Sequence, residues 1–222
     1  MRILVKHIVN HTYRPLVKRY LSKTRVYHYE GLRLEIPPQV FHPGFFFSTR
    51  LLLNYISRLP LAGKKFLELG CGSGLIAMQA ARMGAAVTAS DINPVAISNL
   101  HKNCLANGIR LTAIETDMFE QLPAGAYDII AINPPYYKKD PGSFAGHAWF
   151  CGKHGEYFQQ LFKGLPPYIQ AGTEVLMILF DGCDREMITA YAAENRFVLQ
   201  PVFTKRNMLE ENTIYRIGKI NA

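Results

Sequence analysis

The chain has 222 residues, of which 49% are hydrophobic, so it is long and apolar enough to form a globular domain with a sizeable core. No stretch approaches the roughly 18 to 20 uninterrupted apolar residues of a membrane span, and His7, Asn10 and His11 interrupt the amino-terminal apolar run, which predicts a cytoplasmic protein without membrane contact. The net charge of +8 favours an anionic partner, and the 4 cysteines are too widely spaced to indicate a disulfide framework or a metal site.

The first part of the chain is basic. The stretch RPLVKRYLSK predicts a short helix, which either packs as a solvated helix or docks a substrate. RVYHYEGLRLEI predicts a small hairpin that turns near Glu30 and Gly31. We assign residues 1–45 to a basic amino-terminal extension with a helix and a hairpin, and residues 46–222 to the main domain. The cations that crowd this part of the chain are Arg2, Lys6, Arg14, Lys18, Arg19, Lys23, Arg25 and Arg33.

From Lys64 onward, short apolar runs alternate with amphipathic helical stretches. This pattern is typical of a parallel sheet that is covered on both faces by helices. The last two apolar runs, RFVLQPVFT and NTIYRIGKI, have no helix between them and should pair antiparallel at a sheet edge. The sequence therefore predicts an α/β protein with a doubly wound, seven-stranded Rossmann-like sheet that ends in an antiparallel hairpin.

The loop KKDPGSFAGHAWFCGKHG, residues 138–155, is unusually long and rich in glycine and aromatic residues. Loops of more than about 12 to 15 residues in compact domains are usually lids, binding loops or disordered segments. We predict that this loop is a lid over a ligand site.

A glycine-rich turn, FLELGCGSG, follows the first strand of the predicted sheet. Gly70, Gly72 and Gly74 allow a tight turn and close approach of the backbone to a ligand at a helix amino terminus. A dinucleotide fingerprint would require a glycine where this chain has Leu75. Glu68 places a carboxylate beside the turn, which is unfavourable next to a pyrophosphate but favourable next to an ammonium or a sulfonium group.

Two further acids follow the next two strands. Asp91 ends the second strand, where a carboxylate can accept hydrogen bonds from two ribose hydroxyls, and Asp117 follows the third, where it can accept from an adenine amino group. Together with Glu68 they describe a pocket for a nucleoside that carries positive charge and no phosphate.

These features, ELGCGSG with Asp91, Asp117 and the NPPY stretch after the fourth strand, resemble a class I S-adenosylmethionine-dependent methyltransferase. The resemblance implies that S-adenosylmethionine is the cofactor. It also implies that Glu68 holds the methionine amino group, Asp91 the ribose, and Asp117 with Met118 the adenine, while the glycines approach the cofactor. Metal ligands are not implied.

The NPPY stretch implies catalysis on a planar NH₂ group. The side-chain oxygen of Asn133 and the backbone carbonyl of Pro134 can accept its two N–H bonds and favour a nucleophilic nitrogen, in the manner of fixed dipoles in an oxyanion hole. The prolines hold the site rigid, and Tyr136 offers an aromatic face, a role that Tyr137 can also fill.

Within the family, NPPY resembles both glutamine-amide and adenine N6-methyltransferases. We predict methylation of a protein glutamine amide, with a translation factor or ribosomal protein as partner, because IPPQVFHPGFFFSTRLLLNYI resembles the segment that closes over the cofactor in glutamine-type enzymes. That resemblance implies Phe41, Pro43, Phe45 and either Ser48 or Thr49 as lining. The alternative is methylation of a base amine in RNA or DNA. A nicotinamide dehydrogenase and an inactive scaffold are further, weaker alternatives.

Overall fold

The computed structural model describes residues 19–220. The helix predicted over residues 14–23 begins outside these residues and stays a prediction. The predicted hairpin is present: β1 (Arg25–Tyr29) pairs antiparallel with β2 (Leu32–Ile36). Glu30 and Gly31 form its turn with φ of 44° and 85°, the left-handed torsions of the tight turns that match strand twist.

The main sheet has seven strands among the described residues, in the order β5-β4-β3-β6-β7-β9-β8. The first five are parallel, and β9 runs antiparallel to both β7 and β8. This confirms the predicted doubly wound sheet and its terminal antiparallel hairpin. The strands are β3 (Lys65–Leu69), β4 (Ala86–Asp91), β5 (Thr112–Glu115), β6 (Ile129–Ile132), β7 (Glu174–Phe180), β8 (Phe197–Arg206) and β9 (Glu211–Lys219).

Helices cover both faces of the sheet, and their ends follow local capping signals. Asn93 caps α3 by accepting a hydrogen bond from the Val95 N–H, with Pro94 in the first turn, and Asp184 caps α5 in the same way. The helices are α1 (Phe47–Ile56), α2 (Leu75–Arg82), α3 (Pro94–Ala106), α4 (Glu156–Gly164) and α5 (Arg185–Glu194), with 3₁₀ turns at Pro43–Phe45, Phe144–Ala148 and Pro166–Tyr168.

Alternate residues of the central strands serve two separate cores. In β6, Ile129 and Ala131 pack toward α1, α2 and α3, whereas Ile130 and Ile132 pack toward α4 and α5. A strand that is buried on both faces needs apolar residues throughout, which is why the central strands show no polar alternation.

The amino-terminal hairpin shares the first of these cores. Leu32, Leu34 and Ile36 are buried in the same cluster as the residues of α2 and α3. The described part of the extension thus packs on the main domain, and the boundary after residue 45 stays a prediction. Among residues 19–220, no helix has the length and hydropathy needed to cross a membrane.

Candidate active site

A cavity of about 470 Å³ opens at the edge of the sheet where β3, β4, β5 and β6 end. Parallel strands bring the residues after their carboxyl ends to one edge, so positions far apart in sequence meet there. The wall includes nine of the ten predicted site residues: Glu68, Gly70, Gly72, Asp91, Asp117, Met118, Asn133, Pro134 and Tyr136.

The glycine turn is bound to the end of β4. The N–H groups of Gly70 and Cys71 both donate to the Ser90 carbonyl, at 2.9 and 2.8 Å. Gly70 and Gly72 have φ of 74° and 50°, a region that favours glycine. A Cβ on Gly70 would meet no atom within 4 Å, so the turn leaves open space at this part of the cavity wall.

Gly74 differs from the other two glycines, because it does not line the cavity. Its φ is 73°, and a Cβ there would lie 2.3 Å from Leu100 Cδ1 of α3. The structure therefore explains this glycine by the close packing of α2 against α3, and a direct cofactor contact by Gly74 has no support from its position.

Glu68 combines a structural contact with a place on the cavity wall. Its Oε2 accepts a hydrogen bond of 2.7 Å from the Ala77 N–H in the first turn of α2, which has no side-chain cap of its own. The side chain is only 6% exposed. Burial raises the pKa of Glu68 to about 8, and the nearby charge of Asp91 adds to the rise.

Asp91 is held by backbone donors on both sides. Its Oδ2 accepts from the Gly72 N–H at 2.7 Å and its Oδ1 from the Asn93 N–H at 2.9 Å. Burial raises the pKa of Asp91 despite these hydrogen bonds, and the neighbouring His147 opposes the rise. Burial, with the charge of Asp91, also raises the pKa of Tyr157 on the same wall.

Asp117 and Met118 follow β5 and complete this part of the wall. Met118 has a φ of 49°, which is unusual for a residue with a side chain. Such torsions persist only when the surroundings impose them, and they are concentrated at functional sites.

Asn133 is oriented by one contact with α1 and one within its own NPPY segment. Its Nδ2 donates to Thr49 Oγ1 of α1 at 3.1 Å, and its Oδ1 accepts from the Tyr136 hydroxyl at 2.5 Å. In this arrangement Nδ2 is the donor and Oδ1 the acceptor, and both partners are hydroxyl groups, which can also take the opposite roles. An amide oxygen has two lone pairs, so Oδ1 retains capacity for a second donor.

The aromatic residues after the prolines pack on the end of β7. The Phe180 ring contacts the Tyr136 ring edge-on at 4.9 Å and the Tyr137 ring at 6.0 Å. Burial raises the pKa of Tyr136, so its phenol stays protonated and can donate to Asn133. Tyr137 is 42% exposed at the cavity mouth.

A cluster of aromatic side chains from the segment before α1 and from the predicted lid forms another part of the cavity wall. Phe41 stacks on Phe46 at 4.1 Å, and both contact Trp149 of the predicted lid, at 5.2 and 5.0 Å. Of the lining predicted in this segment, Phe41, Ser48 and Thr49 do line the cavity, whereas Pro43 and Phe45 do not.

Several residues of the wall carry no motif in the sequence and were not predicted from it. His147 and Tyr157 come from the lid and from α4, and Glu210 and Asn212 come from the terminal hairpin. The aromatic and glycine content of the lid was a signal for His147 alone, because no local motif marks a residue that reaches the site from a distant element.

Solved methyltransferase structures share this fold. A Pyrococcus furiosus methyltransferase matches with a TM-score of 0.64 and 18% identity, over 94% of this chain and 98% of that one. The Thermus thermophilus 16S rRNA N2 G1207 methyltransferase, in complex with AdoMet and guanosine, matches with a TM-score of 0.63 and 20% identity, over 87% of this chain and 50% of that one. The fold is that of the class I S-adenosylmethionine-dependent methyltransferases.

Residues 33–150 match the methyltransferase small domain family, and the chain belongs to that family. A proposed protein N5-glutamine methyltransferase of Methanocaldococcus jannaschii is 32% identical over 155 residues, which cover 67% of this chain and 76% of that protein. The Deinococcus radiodurans ribosomal protein L11 methyltransferase is 33% identical over 162 residues, and this chain covers 55% of its length.

A ribosomal RNA small subunit methyltransferase C of Chromohalobacter salexigens is 34% identical over 112 residues, which cover 49% of this chain and 33% of that protein. The matched region thus ranges from a third to three quarters of the length of these relatives. The protein is an S-adenosylmethionine-dependent methyltransferase, as the resemblance implied, and these relatives are named as methyltransferases of protein or of RNA.

The residues of the cavity fit this cofactor. S-adenosylmethionine carries a sulfonium and an ammonium group and no phosphate. Burial raises the pKa of the Glu68 and Asp91 carboxyls, and a cation bound beside them would favour their ionised forms. The open space at Gly70 gives a ligand access to the backbone.

Proposed function

We propose that this enzyme methylates the side-chain amide nitrogen of a glutamine residue in a protein. The observation that carries the proposal is the orientation of Asn133 at the end of β6. Its amide is held by Thr49 and Tyr136 so that Oδ1 is an acceptor at the cavity, next to the Pro134 carbonyl.

The cofactor would be held by the residues on the β3, β4 and β5 side of the cavity. We assign the methionine amino group to Glu68, the ribose to Asp91, and the adenine to Asp117 and Met118, with Gly70 and Gly72 against the cofactor. When bound, S-adenosylmethionine supplies an electrophilic methyl group.

The remaining task of the protein is to make an amide nitrogen nucleophilic. An amide lone pair is delocalised, and two acceptors that hold both N–H bonds favour a localised pair on nitrogen. Asn133 Oδ1 and the Pro134 carbonyl are suited to this role, and their fixed positions avoid reorganisation during the reaction. A group that lacks one N–H would leave a buried acceptor unpaired, at a cost of about 1 to 3 kcal/mol.

The charge of the cavity supports a protein substrate. Its wall contains six carboxylates and, within the described part of the chain, no lysine or arginine. Burial keeps Glu68 largely protonated at neutral pH and Lys153 pairs with Asp140 at 2.9 Å, but the remaining carboxylates still disfavour phosphate groups more than a polypeptide segment. The similarity to the M. jannaschii protein, of which the chain covers 76%, agrees with this choice. The carboxylates are Glu68, Asp91, Asp117, Asp140, Glu156 and Glu210.

A second candidate is methylation of a base amine in RNA. The net charge of +8 favours it, and so does the similarity to an RNA methyltransferase over 112 residues. Because a base amine and a glutamine amide both present a planar NH₂ group, Asn133 and Pro134 can serve either substrate.

Transfer of radiolabelled methyl from S-adenosylmethionine into a cell extract tests the proposal. The extract is divided into a ribonuclease-treated and a protease-treated half after the reaction. We expect the label to survive ribonuclease and to be released by protease. Label that resists protease and is lost with ribonuclease would show that the methylated group is a base amine in RNA and not a protein amide.

Two variants serve as controls for the assigned roles. Asn133→Ala should abolish transfer while S-adenosylhomocysteine binds nearly as in the wild type, because Asn133 is assigned to the NH₂ group that accepts the methyl and not to the cofactor. Asp91→Ala should weaken S-adenosylhomocysteine binding. Equal loss of binding in both variants would contradict the assignments.

A further inference from the structure

The terminal hairpin contributes a polar pair to the wall of the cavity, on the side of Tyr136. Asn212 is the partner of Phe180 in the pairing of β9 with β7, and Phe180 packs against Tyr136 and Tyr137. Glu210 lies in the turn just before β9. Both Glu210 and Asn212 line the cavity.

The side chains of this pair are oriented by each other. Asn212 Nδ2 donates to Glu210 Oε1 at 3.0 Å. Since a carboxylate only accepts, the amide of Asn212 has one possible orientation, with Oδ1 directed away from Glu210. Asn212 is 0% exposed, and its Oδ1 has no hydrogen-bond partner. A buried carbonyl oxygen of this kind requires a donor.

Glu210 is a half-buried carboxylate with no lysine or arginine in an ion pair with it among residues 19–220. Its backbone is fixed, because Asn207 Oδ1 accepts from the Leu209 and Glu210 N–H groups at 2.7 and 2.8 Å. Burial raises the pKa of Tyr136, and the charge of Glu210 adds to the rise. The Glu210 carboxylate therefore lies on the side of the cavity that holds Tyr136 and Asn133, which we call the acceptor side.

We propose that Glu210 and Asn212, with the rings of Tyr137 and Phe180, form a subsite for a cationic side chain of the protein substrate. The inference rests on the proposed function and names a second feature of that substrate. An arginine suits the subsite best, because its planar fork of donors matches the Glu210 carboxylate, offers further donors toward Asn212, and its face can lie on an aromatic ring. The subsite selects a glutamine that has an arginine close to it in the folded or extended substrate.

A matched pair of small probes tests the subsite without knowledge of the substrate. N-acetylarginine methylamide is titrated into the full-length protein with saturating S-adenosylhomocysteine, which keeps the probe away from Glu68 and Asp91. N-acetylcitrulline methylamide has the same shape and no charge. We expect the arginine probe to bind about tenfold more tightly, as measured by NMR titration.

The preference for arginine should fall to less than about twofold in Glu210→Gln. It should persist in Glu211→Gln, a control that alters the neighbouring glutamate outside the cavity. Equal binding of the two probes to the wild type would overturn the inference, and so would a preference that persists in Glu210→Gln. The titration involves no methyl transfer. The glutamine proposal can therefore fail in the extract assay while the subsite is confirmed in the titration, and the reverse can also be observed.

Discussion

At the residue scale, the glycines after β3 have the same backbone torsion for different reasons. Gly70 and Gly74 have φ of 74° and 73°, so alanine would be strained by about 1 to 2 kcal/mol at either position. Only their surroundings differ, because Gly70 borders the open cavity whereas Gly74 lies against Leu100.

Gly74→Ala should therefore mainly lower stability, whereas Gly70→Ala should mainly lower the affinity for S-adenosylhomocysteine. We expect Gly74→Ala to lower the free energy of unfolding by about 2 to 4 kcal/mol, because overpacking against Leu100 adds to the torsional strain. Gly70→Ala should lower the free energy of unfolding by only about 1 to 2 kcal/mol. It should lose more S-adenosylhomocysteine affinity than Gly74→Ala does. Urea unfolding and calorimetry measure the two quantities. Equal stability losses, or wild-type affinity in Gly70→Ala, would contradict this explanation.

The buried carboxyl of Glu68 makes stability depend on pH. Its pKa of about 8 in the folded chain exceeds the ordinary value of 4.5. Between these values the folded chain binds more protons than the unfolded chain, so the free energy of unfolding falls as the pH rises, and it levels off above about 8.

Glu68→Gln should remove this slope while its amide oxygen still accepts from Ala77. We expect the wild type to lose roughly 3 to 5 kcal/mol more than the variant between about pH 5 and pH 8.5, measured by denaturant unfolding without cofactor. Parallel curves for the two proteins would show that Glu68 ionises as easily in the folded chain as in the unfolded one.

At the element scale, asparagines on α3 and at its carboxyl-terminal cap bind the backbone of β2. Asn107 exchanges two hydrogen bonds with the Arg33 backbone, and Asn103 exchanges two with the Glu35 backbone. Asn99 donates to the Glu35 carbonyl as well, at 2.7 Å. Their spacing of four residues places them on one face of the helix. They satisfy the edge of β2 that β1 does not pair, and they position the segment that leads to Phe41.

Asn103→Ala should loosen this junction. It leaves the Glu35 N–H without its side-chain acceptor, and we expect a loss of about 1 to 3 kcal/mol in the free energy of unfolding. Hydrogen exchange of the Glu35 amide should accelerate while the amides of β6 stay protected. His101→Ala, at an exposed position of the same helix, is the control and should change neither quantity appreciably. Unchanged exchange at Glu35 in Asn103→Ala would assign the docking of the hairpin to its apolar residues alone.

At the scale of the whole molecule, the net charge and the charge of the cavity have opposite signs. The chain carries a net charge of +8, whereas the cavity wall in the described residues has carboxylates and no lysine or arginine. A basic exterior attracts RNA through its phosphates regardless of sequence. Such binding does not require a base to enter the cavity.

We expect single-stranded RNA to bind this protein outside the cavity. Raising the salt from about 50 to about 200 mM should lower the RNA affinity by roughly tenfold or more, and Asn133→Ala should bind RNA as the wild type does. Fluorescence anisotropy with a labelled oligonucleotide measures both. RNA binding that is insensitive to salt and lost in Asn133→Ala would indicate recognition of a base at the NPPY stretch.

The sequence by itself determined the sheet and most of the cofactor side of the cavity. Alternating apolar runs and helices specify a doubly wound sheet, and in such a sheet the residues after the strands meet at one edge. Glu68, Asp91, Asp117 and Asn133 each lie within two residues of the carboxyl end of a strand, so their convergence could be predicted from local pattern alone.

Only the tertiary structure decided what surrounds these residues. The contact of Thr49 with Asn133 joins positions 84 apart in the chain. The packing of Gly74 on Leu100 and the placement of Glu210 and Asn212 at the acceptor side depend in the same way on how distant elements pack. A strand period or a turn motif reports neighbours along the chain, whereas side-chain partners across elements are selected by packing, which has no local signature.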